Sequence, residues 1–188
     1  MRALRINVIG TTGAGKTTLS RQVAQELGIA DIELDELFWQ PNWTETPREL
    51  FREKVKHAVE ASESWVLHGN YTKTRDLIWP KATHIVWLDY PPAFIFFRLF
   101  RRTLRRMLKK EILWSGNTES FLKSFASRDS ILVWFFKSYR KNATLVPELL
   151  AMPEHRHLKL IRLTSPDETK TLIRRLLAND EVAHATLA

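Results

Sequence analysis

A short glycine-rich segment near the start of this 188-residue chain constrains its fold more than any other feature. Residues 10–17 read Gly-Thr-Thr-Gly-Ala-Gly-Lys-Thr and match the pattern G-x-x-x-x-G-K-[ST]. The apolar, β-branched run 3–9 precedes this segment and predicts a strand, whereas residues 16–27 favour a helix that ends before Gly28. A strand, a glycine turn and a helix in this order predict a loop whose backbone N–H groups bind phosphate.

Each position of this loop has a predicted role. The glycines let the backbone approach a phosphate closely. Lys16 is expected to bridge the β- and γ-phosphates of ATP, and Thr17 is expected to offer its hydroxyl to Mg²⁺. A chance glycine turn is the alternative, and the flanking strand and helix argue against it. The predicted nucleotide-binding set is Gly10, Thr11, Thr12, Gly13, Ala14, Gly15, Lys16, Thr17 and Thr18.

The rest of the chain alternates strand and helix patterns. Apolar runs predict further strands at 29–34, 65–68, 85–88 and 158–163, and capping boxes at 46–49 and 165–168 predict helix starts. Residues 93–152 read as an entirely helical region inserted between the fourth and fifth strands. We therefore expect an α/β fold of the P-loop NTPase class, with an open, parallel five-stranded sheet, helices on both faces and a helical lid. The whole chain, 1–188, is predicted to form a single domain.

Composition excludes several other classes of protein. With 7 Trp, 10 Phe and only 6 Gly, the chain is neither disordered nor collagen-like. The absence of cysteine excludes a disulfide scaffold, a thiolate metal site and a cysteine nucleophile, and it favours a cytoplasmic location. No signal peptide or membrane helix is expected from the hydropathy pattern. A formal net charge of +8 favours anionic partners without choosing among nucleotides, nucleic acids and membrane surfaces.

Further motifs narrow the class of phosphate-loop protein. The chain has neither the N-K-x-D nor the D-x-x-G tetrapeptide of a GTPase, and its length suits a small kinase. Together with the loop, residues 34–39 (Leu-Asp-Glu-Leu-Phe-Trp), 65–71 (Trp-Val-Leu-His-Gly-Asn-Tyr) and 85–91 (Ile-Val-Trp-Leu-Asp-Tyr-Pro) resemble the adenylate-kinase-like family known as DNA topology modulation proteins. This resemblance covers most of the chain. It implies a nucleoside-monophosphate-kinase-like fold that binds ATP. We therefore expect a kinase that transfers the γ-phosphoryl group of ATP to a small-molecule or nucleotide acceptor. The alternative is a non-enzymatic, ATP-responsive protein that binds nucleic acid through the basic helix at 98–110.

The same resemblance makes one departure visible and suggests one acceptor residue. The third strand of that family usually ends Asp-Gly-Asn-Tyr, whereas His68 takes the place of the aspartate here. His68 is expected to pack at the end of its strand, near the nucleotide. Arg75 follows this strand where kinases of this type keep an arginine for the phosphate of the acceptor, although a solvated surface role is the alternative.

Other candidate acceptor residues come from the second strand and the loop after it. Asp35 is predicted to end that strand, where its carboxylate could orient or deprotonate an acceptor hydroxyl or hold Mg²⁺ through water. Its alternative role is to cap the following helix, and both roles are compatible. Trp39 and Trp43 flank Pro41 and either stack on the acceptor or serve as core and lid residues.

A strongly basic helix is the last candidate feature. Residues 98–110 hold seven cationic side chains and no acidic one. Arg98, Arg102 and Arg106 recur every four residues and so share one helix face, from which they are expected to close over the transferring phosphoryl group. The alternatives are a nucleic-acid-binding stripe and a helix lying on a membrane. The aromatic run 94–100 is predicted to be core, buried against residues 131–136.

Overall fold

The computed structural model describes residues 3–118, 131–172 and 176. Five parallel strands form the central sheet: β1 (Arg5–Gly10), β2 (Ala30–Glu33), β5 (Trp65–His68), β6 (His84–Leu88) and β7 (Lys159–Leu163). Their spatial order is β2-β5-β1-β6-β7. This arrangement confirms the predicted fold class, because helices cover both faces of the sheet.

The helices follow the predicted order, with differences at their starts. Gly28 ends the first helix in the left-handed conformation (φ 64°), as its position predicts. The helix start predicted at 46–49 is confirmed, since α3 begins at Arg48, but the capping itself is wrong because Pro47 is the N-cap and the Thr46 hydroxyl donates to the carbonyl of Leu37. A final helix begins at residue 166 and is described to residue 172. The labelled helices are α1 (Lys16–Leu27), α2 (Leu34–Phe38), α3 (Arg48–Glu60), α4 (Arg75–Ile78), α5 (Pro92–Lys109) and α6 (Ile131–Leu150).

Two apolar layers, one on each face of the sheet, hold the strands in place. One layer joins β1 and β6 to α1 and α5, and includes Val8, Val23, Val86 and Leu99. The other joins β5 and β6 to α3 and includes Phe51 and Trp65. Since all the strands of this sheet are parallel, their carboxyl ends meet at one edge, where ligands bind in open α/β folds.

A small antiparallel hairpin lies at this edge and was not predicted. Strands β3 (Trp39–Gln40) and β4 (Thr44–Glu45) pair across the turn Pro41–Trp43, in which Asn42 and Trp43 have left-handed φ values. The sequence pattern indicated only a loop here, because two-residue strands are too short to show alternation. Because this hairpin carries Trp39 and Trp43, which the sequence predicts as candidates for acceptor stacking, we call residues 39–45 the acceptor hairpin.

The region 93–152 differs from the prediction of a wholly helical insertion. Helices α5 and α6 are present, but residues 110–118 leave the α-helix, and Lys110 ends α5 in the left-handed conformation (φ 47°). The aromatic run of α5 is only partly core. Ile95 and Leu99 are buried and Phe96 contacts Phe135, whereas Phe97 is 64% exposed.

Some predictions concern parts of the chain that lie outside the described residues. They include most of the side chains at 131–136, which were expected to cover α5.

Candidate functional site

The phosphate loop connects β1 to α1 and has the geometry that its glycines predict. Gly13 and Gly15 have φ of 85° and 103°, which side-chain-bearing residues rarely adopt. A Cβ atom at Gly13 would lie 2.8 Å from the Cβ of Leu99, and one at Gly15 would lie 2.9 Å from a guanidinium nitrogen of Arg98. The loop is therefore a tight cradle between β1 and α5 that only glycine fits at these two positions.

Lys16 lies inside this cradle. Its Nζ donates to the carbonyl oxygens of Gly10 at 2.9 Å and Thr11 at 3.3 Å. The pKa of Lys16 is lowered to about 8, mainly because the ammonium is buried. The charge of Asp35 opposes this shift, and the charge of Arg102 adds to it. A buried ammonium held by neutral carbonyls gains most from a bound anion, so the cradle fits the polyphosphate of a nucleotide.

Thr17 is the second residue of α1 and lies beside His68, the last residue of β5. Its Oγ1 lies 3.5 Å from Nδ1 of His68, and Nε2 of His68 lies 3.6 Å from a carboxylate oxygen of Asp31. His68 is buried, and this burial together with the charges of Lys16 and Arg21 lowers the pKa of His68 to about 4. The imidazole of His68 is therefore neutral at neutral pH. It packs at the end of its strand, as predicted.

Asp35 belongs to the first turn of α2, because β2 already ends at Glu33. The prediction that Asp35 ends a strand is therefore wrong. The proposed capping role fails as well, since Glu33 is the N-cap and no side chain caps the helix. Instead the Asp35 carboxylate accepts a hydrogen bond from the Tyr71 hydroxyl. Burial and the Asp35 charge raise the pKa of Tyr71 above its ordinary value, so Tyr71 remains a donor.

Arg75 begins α4, four residues after Tyr71 in the chain. Its guanidinium lies over the ring of Trp79, 5.1 Å from the centroid, and burial lowers its pKa. Its neighbour Asp76 instead forms a two-pronged ion pair with Arg52, at 2.6 and 2.8 Å. Arg75 is consequently half-buried against an aromatic ring rather than solvated at the surface.

Trp39 and Trp43 lie on the acceptor hairpin, where their rings meet edge to face at 5.3 Å. Trp39 also contacts the buried ring of Phe38, and Trp43 contacts Trp114 at 6.3 Å. Both indoles therefore form an aromatic wall with Trp114, and Trp39 also packs against the apolar layer that includes Phe51, as the core alternative predicts. The role of Trp114 was missed, since nothing in the local pattern links residue 114 to residue 43.

The three arginines on the inner face of α5 do not share one environment. Arg98 lies against the phosphate loop, 3.5 Å from the carbonyl of Ala14, and the charge of Arg102 acts on Lys16. Arg106 points toward the other end of the site, 3.6 Å from Glu111 and over the Trp114 ring at 6.0 Å. The described geometry thus brings Arg98 and Arg102 to the phosphate loop and leaves Arg106 with the aromatic wall.

The structure also bears on metals and membranes. Within the described residues, no group of three or more His, Asp or Glu side chains could hold a metal ion on its own. None of the helices in the described part of the chain has the length and hydropathy of a membrane-spanning segment.

Comparisons with known proteins identify the relatives of this chain. The family model for shikimate kinase matches residues 12–78, which contain most of the phosphate loop, Asp35, the acceptor hairpin and Arg75. A shikimate kinase from Nostoc sp. is 30% identical over 125 residues, which are 59% of this chain and 68% of that protein.

Solved structures of kinases share the fold over nearly the whole chain. A shikimate kinase from Bacteroides thetaiotaomicron has a TM-score of 0.55 at 19% identity and covers 95% of this chain and 98% of its own. A gluconokinase from Sinorhizobium meliloti has a TM-score of 0.53 at 16% identity, with coverage of 99% and 96%.

A parallel sheet of this order, with a lysine-bearing phosphate loop at its carboxyl edge, defines a small P-loop kinase, an ATP-dependent phosphotransferase that uses Mg²⁺. Within that class, which includes adenylate kinase, the chain belongs to the shikimate kinase family. The narrower resemblance to the DNA topology modulation proteins is not shown by these comparisons. They do not support nucleic-acid binding either.

Proposed function

We propose that this protein transfers the γ-phosphoryl group of ATP to a hydroxyl of a small hydroxylated acceptor held between Asp35 and the acceptor hairpin. The observation that carries this proposal is the position of Asp35. Its carboxylate is bonded to the Tyr71 hydroxyl and is close enough to Lys16 for its charge to raise the pKa of that ammonium. A carboxylate beside the phosphate-loop lysine can receive the proton of an attacking hydroxyl.

On the acceptor side, two residues share the work on that proton. Tyr71 donates to one carboxylate oxygen of Asp35 and so fixes the orientation of the group. The other oxygen of Asp35 then accepts a hydrogen bond from the acceptor hydroxyl and takes up its proton as the hydroxyl attacks. Because the pKa of Tyr71 is raised, the phenol does not compete for this proton.

On the nucleotide side, the residues fit ATP and Mg²⁺. The cradle formed by Gly13 and Gly15 admits a polyphosphate, Lys16 would bind its β- and γ-phosphates, and the Thr17 hydroxyl would bind the metal. When bound, Mg·ATP supplies the phosphoryl group and neutralises part of its charge. Arg98 and Arg102 would stabilise the charge that spreads over the group during transfer.

The names of the relatives suggest which acceptors to try first. Shikimate kinase and gluconokinase point to hydroxylated carboxylic acids. A nucleoside monophosphate is the second candidate acceptor, because Arg75 lies after β5 where an acceptor phosphate would be bound. The position of Arg75 against Trp79 favours the hydroxy acids, since that guanidinium already has an aromatic partner. Membership of the topology modulation proteins, a single domain over 1–188 and a cytoplasmic location stay predictions.

The test is ATP consumption with a panel of acceptors, comprising shikimate, gluconate, AMP and CMP, each against an acceptor-free blank. We expect one hydroxy acid to stimulate turnover and Asp35→Asn to lower kcat with that acceptor by about 10²-fold, because the amide cannot take up a proton. The matched control is Glu36→Gln, since Glu36 is the exposed carboxylate next in α2. Mg·ATP affinity should stay nearly unchanged in both variants.

Two outcomes would contradict this proposal. Unchanged turnover in Asp35→Asn with the stimulating acceptor would remove Asp35 from the chemistry. Stimulation by AMP or CMP alone would shift the proposal to the nucleoside-monophosphate-kinase type.

A further inference from the structure

The segment that follows α5 forms a bridge to the acceptor hairpin. Residues 113–118, which we call the clasp, leave α5 and run to the hairpin, where they form hydrogen bonds with residues more than 70 positions earlier in the chain. The Ser115 hydroxyl donates to the carbonyl of Trp39 at 2.7 Å, and the indole N–H of Trp43 donates to the carbonyl of Thr118 at 3.1 Å.

Asn117 is the centre of this bridge. Its side-chain oxygen accepts the backbone N–H of Trp43 at 2.9 Å. Its side-chain nitrogen donates to the carbonyls of Gln40 at 2.9 Å and Trp114 at 2.8 Å. The residue is 5% exposed, so these three bonds form away from water. A buried amide with this many partners costs more to remove than an exposed one, because each backbone group that it satisfies is left unpaired.

The hairpin backbone needs such a restraint. Asn42 and Trp43 have φ of 60° and 57°, in the left-handed region. Asparagine tolerates that conformation, but a residue as bulky as tryptophan rarely adopts it. Strained backbone of this kind persists where the surrounding structure holds it. The bond from Trp43 N–H to Asn117 is a direct restraint on the strained residue.

The clasp is itself anchored at both ends of the site. Trp114 interacts with the carboxyl group of Glu33, at the end of β2, and opposes the rise that burial causes in the pKa of Glu33. Glu111, just before the clasp, binds Arg105 at 3.1 Å and Arg106 at 3.6 Å, and Arg106 also lies over the ring of Trp114. Since the same helix places Arg98 against the phosphate loop, α5 connects the nucleotide side to the clasp.

We infer that Asn117 is a positioning residue for the acceptor: by holding Trp43 in its left-handed conformation, it sets the indole wall of Trp39, Trp43 and Trp114 relative to Asp35. The catalytic consequence rests on the proposed kinase function. An acceptor with a flat or ring-shaped face gains from such a wall, because aromatic rings pack well against apolar ring faces. The wall can do so only while the hairpin backbone stays in place.

The first experiment follows the hairpin directly by hydrogen exchange. We expect the Trp43 amide to exchange about tenfold faster or more in Asn117→Ala than in the wild type, because the amide loses its buried acceptor. Asn117→Asp keeps an acceptor for Trp43 but sets a carboxylate against two carbonyl oxygens, so it should exchange faster than the wild type too. Thr118→Ala is the matched control, because only the backbone carbonyl of Thr118 takes part.

The second experiment separates positioning from general loss of stability. With the hydroxy acid that stimulates turnover in the acceptor panel, Asn117→Ala should raise the acceptor KM by about tenfold and change the Mg·ATP KM by less than twofold. Thr83→Val serves as a destabilised control, because Thr83 bonds Arg5 at the opposite edge of the sheet. This control should lower Tm without moving the acceptor KM.

The results that would overturn the inference are distinct from those that would overturn the proposed function. Two results would show that Asn117 has no positioning role. One is a Trp43 amide that exchanges in Asn117→Ala as slowly as in the wild type. The other is an equal increase of the acceptor KM and the Mg·ATP KM, seen both in Asn117→Ala and in Thr83→Val. If no acceptor stimulates the wild type, the proposed function fails. Exchange at Trp43 then decides alone whether Asn117 holds the hairpin.

Discussion

The nucleotide side and the acceptor side of this site are built in different ways. The nucleotide side is a continuous stretch of chain, residues 10–17, whose function depends on backbone N–H groups and on glycine at two tight positions. The acceptor side is assembled from three separate stretches, residues 33–45, 71–75 and 111–118, through side-chain contacts among them. One side is a local structure and the other exists only after folding.

This difference has a consequence for how the two sides respond to change. A backbone cradle tolerates almost no substitution at Gly13, where a Cβ would overlap Leu99 of α5, or at Gly15, whose φ of 103° side-chain-bearing residues rarely adopt. Side chains on the hairpin and the clasp can be exchanged without disturbing that cradle. We therefore expect variants of the acceptor side to alter acceptor KM at nearly constant ATP affinity, and variants of the phosphate loop to impair every acceptor equally.

The largest effect is expected from Lys16→Ala. The variant should lose about 10²-fold or more in kcat/KM with any acceptor, because a charge next to the transferring group is lost. Mg·ATP should raise Tm in the wild type and by clearly less in the variant. The measurement is thermal unfolding with and without millimolar Mg·ATP, followed by turnover. Equal stabilisation of both proteins would break the comparison at its stronger end.

The same difference explains what was predictable from the sequence. The phosphate loop, α1 and the parallel sheet follow from local rules, since glycine spacing, apolar runs and a glycine C-cap are readable within a few residues. The three arginines of α5 were placed on one face by their spacing alone. Their positions along the site were not, because whether Arg106 faces the phosphate loop or Glu111 depends on tertiary contacts.

The acceptor side resisted prediction for a related reason. Tyr71 belongs to the motif at 65–71, but its hydrogen bond to Asp35 joins residues that are 36 positions apart and so leaves no local pattern. The hairpin was read as a loop, since left-handed Trp43 contradicts local propensity and is held by Asn117. Non-glycine residues in strained conformations leave no local sequence signal. A pairing of Asn117 with residue 43 in an alignment of relatives would be such a signal.

The two ends of α5 provide the next sharper test. Arg102→Gln should lower kcat by about tenfold or more, because this guanidinium acts beside Lys16. Arg106→Gln should lower kcat less and raise the acceptor KM, since Arg106 binds Glu111 and lies over Trp114. The measurement is a full set of kcat and KM values, with exposed Arg101→Gln as the control.

Identical kinetic changes in Arg102→Gln and Arg106→Gln would remove the distinction between the two ends of the helix. Intact turnover in both variants, together with lost and salt-dependent DNA binding, would favour a nucleic-acid role for the helix instead.

A smaller effect is expected from pH on the nucleotide side. The lowered pKa of Lys16, about 8, means that the free protein has lost about half of this charge at pH 8 and loses most of the rest above it. Bound phosphate favours the charged ammonium, so binding must take up a proton at higher pH, and affinity should fall by up to about tenfold per unit between pH 8 and 10. Titration calorimetry of wild type and Lys16→Ala measures this. A similar slope in the variant would assign the effect to another group.

The smallest effect concerns His68, which lies where the two sides meet, between Thr17 and Asp31. Its pKa is lowered to about 4, so between pH 6.5 and 4 the unfolded chain binds a proton that the folded chain does not. Stability is therefore unaffected by this group above pH 6.5 and falls as pH decreases below it, by about 2 kcal/mol at pH 5. His68→Asn should lose less stability than the wild type between pH 7.5 and 5, as measured by urea unfolding. His57→Asn, at an exposed position of α3, should behave like the wild type, and the same behaviour in His68→Asn would show that the buried imidazole does not set the acid sensitivity of the junction.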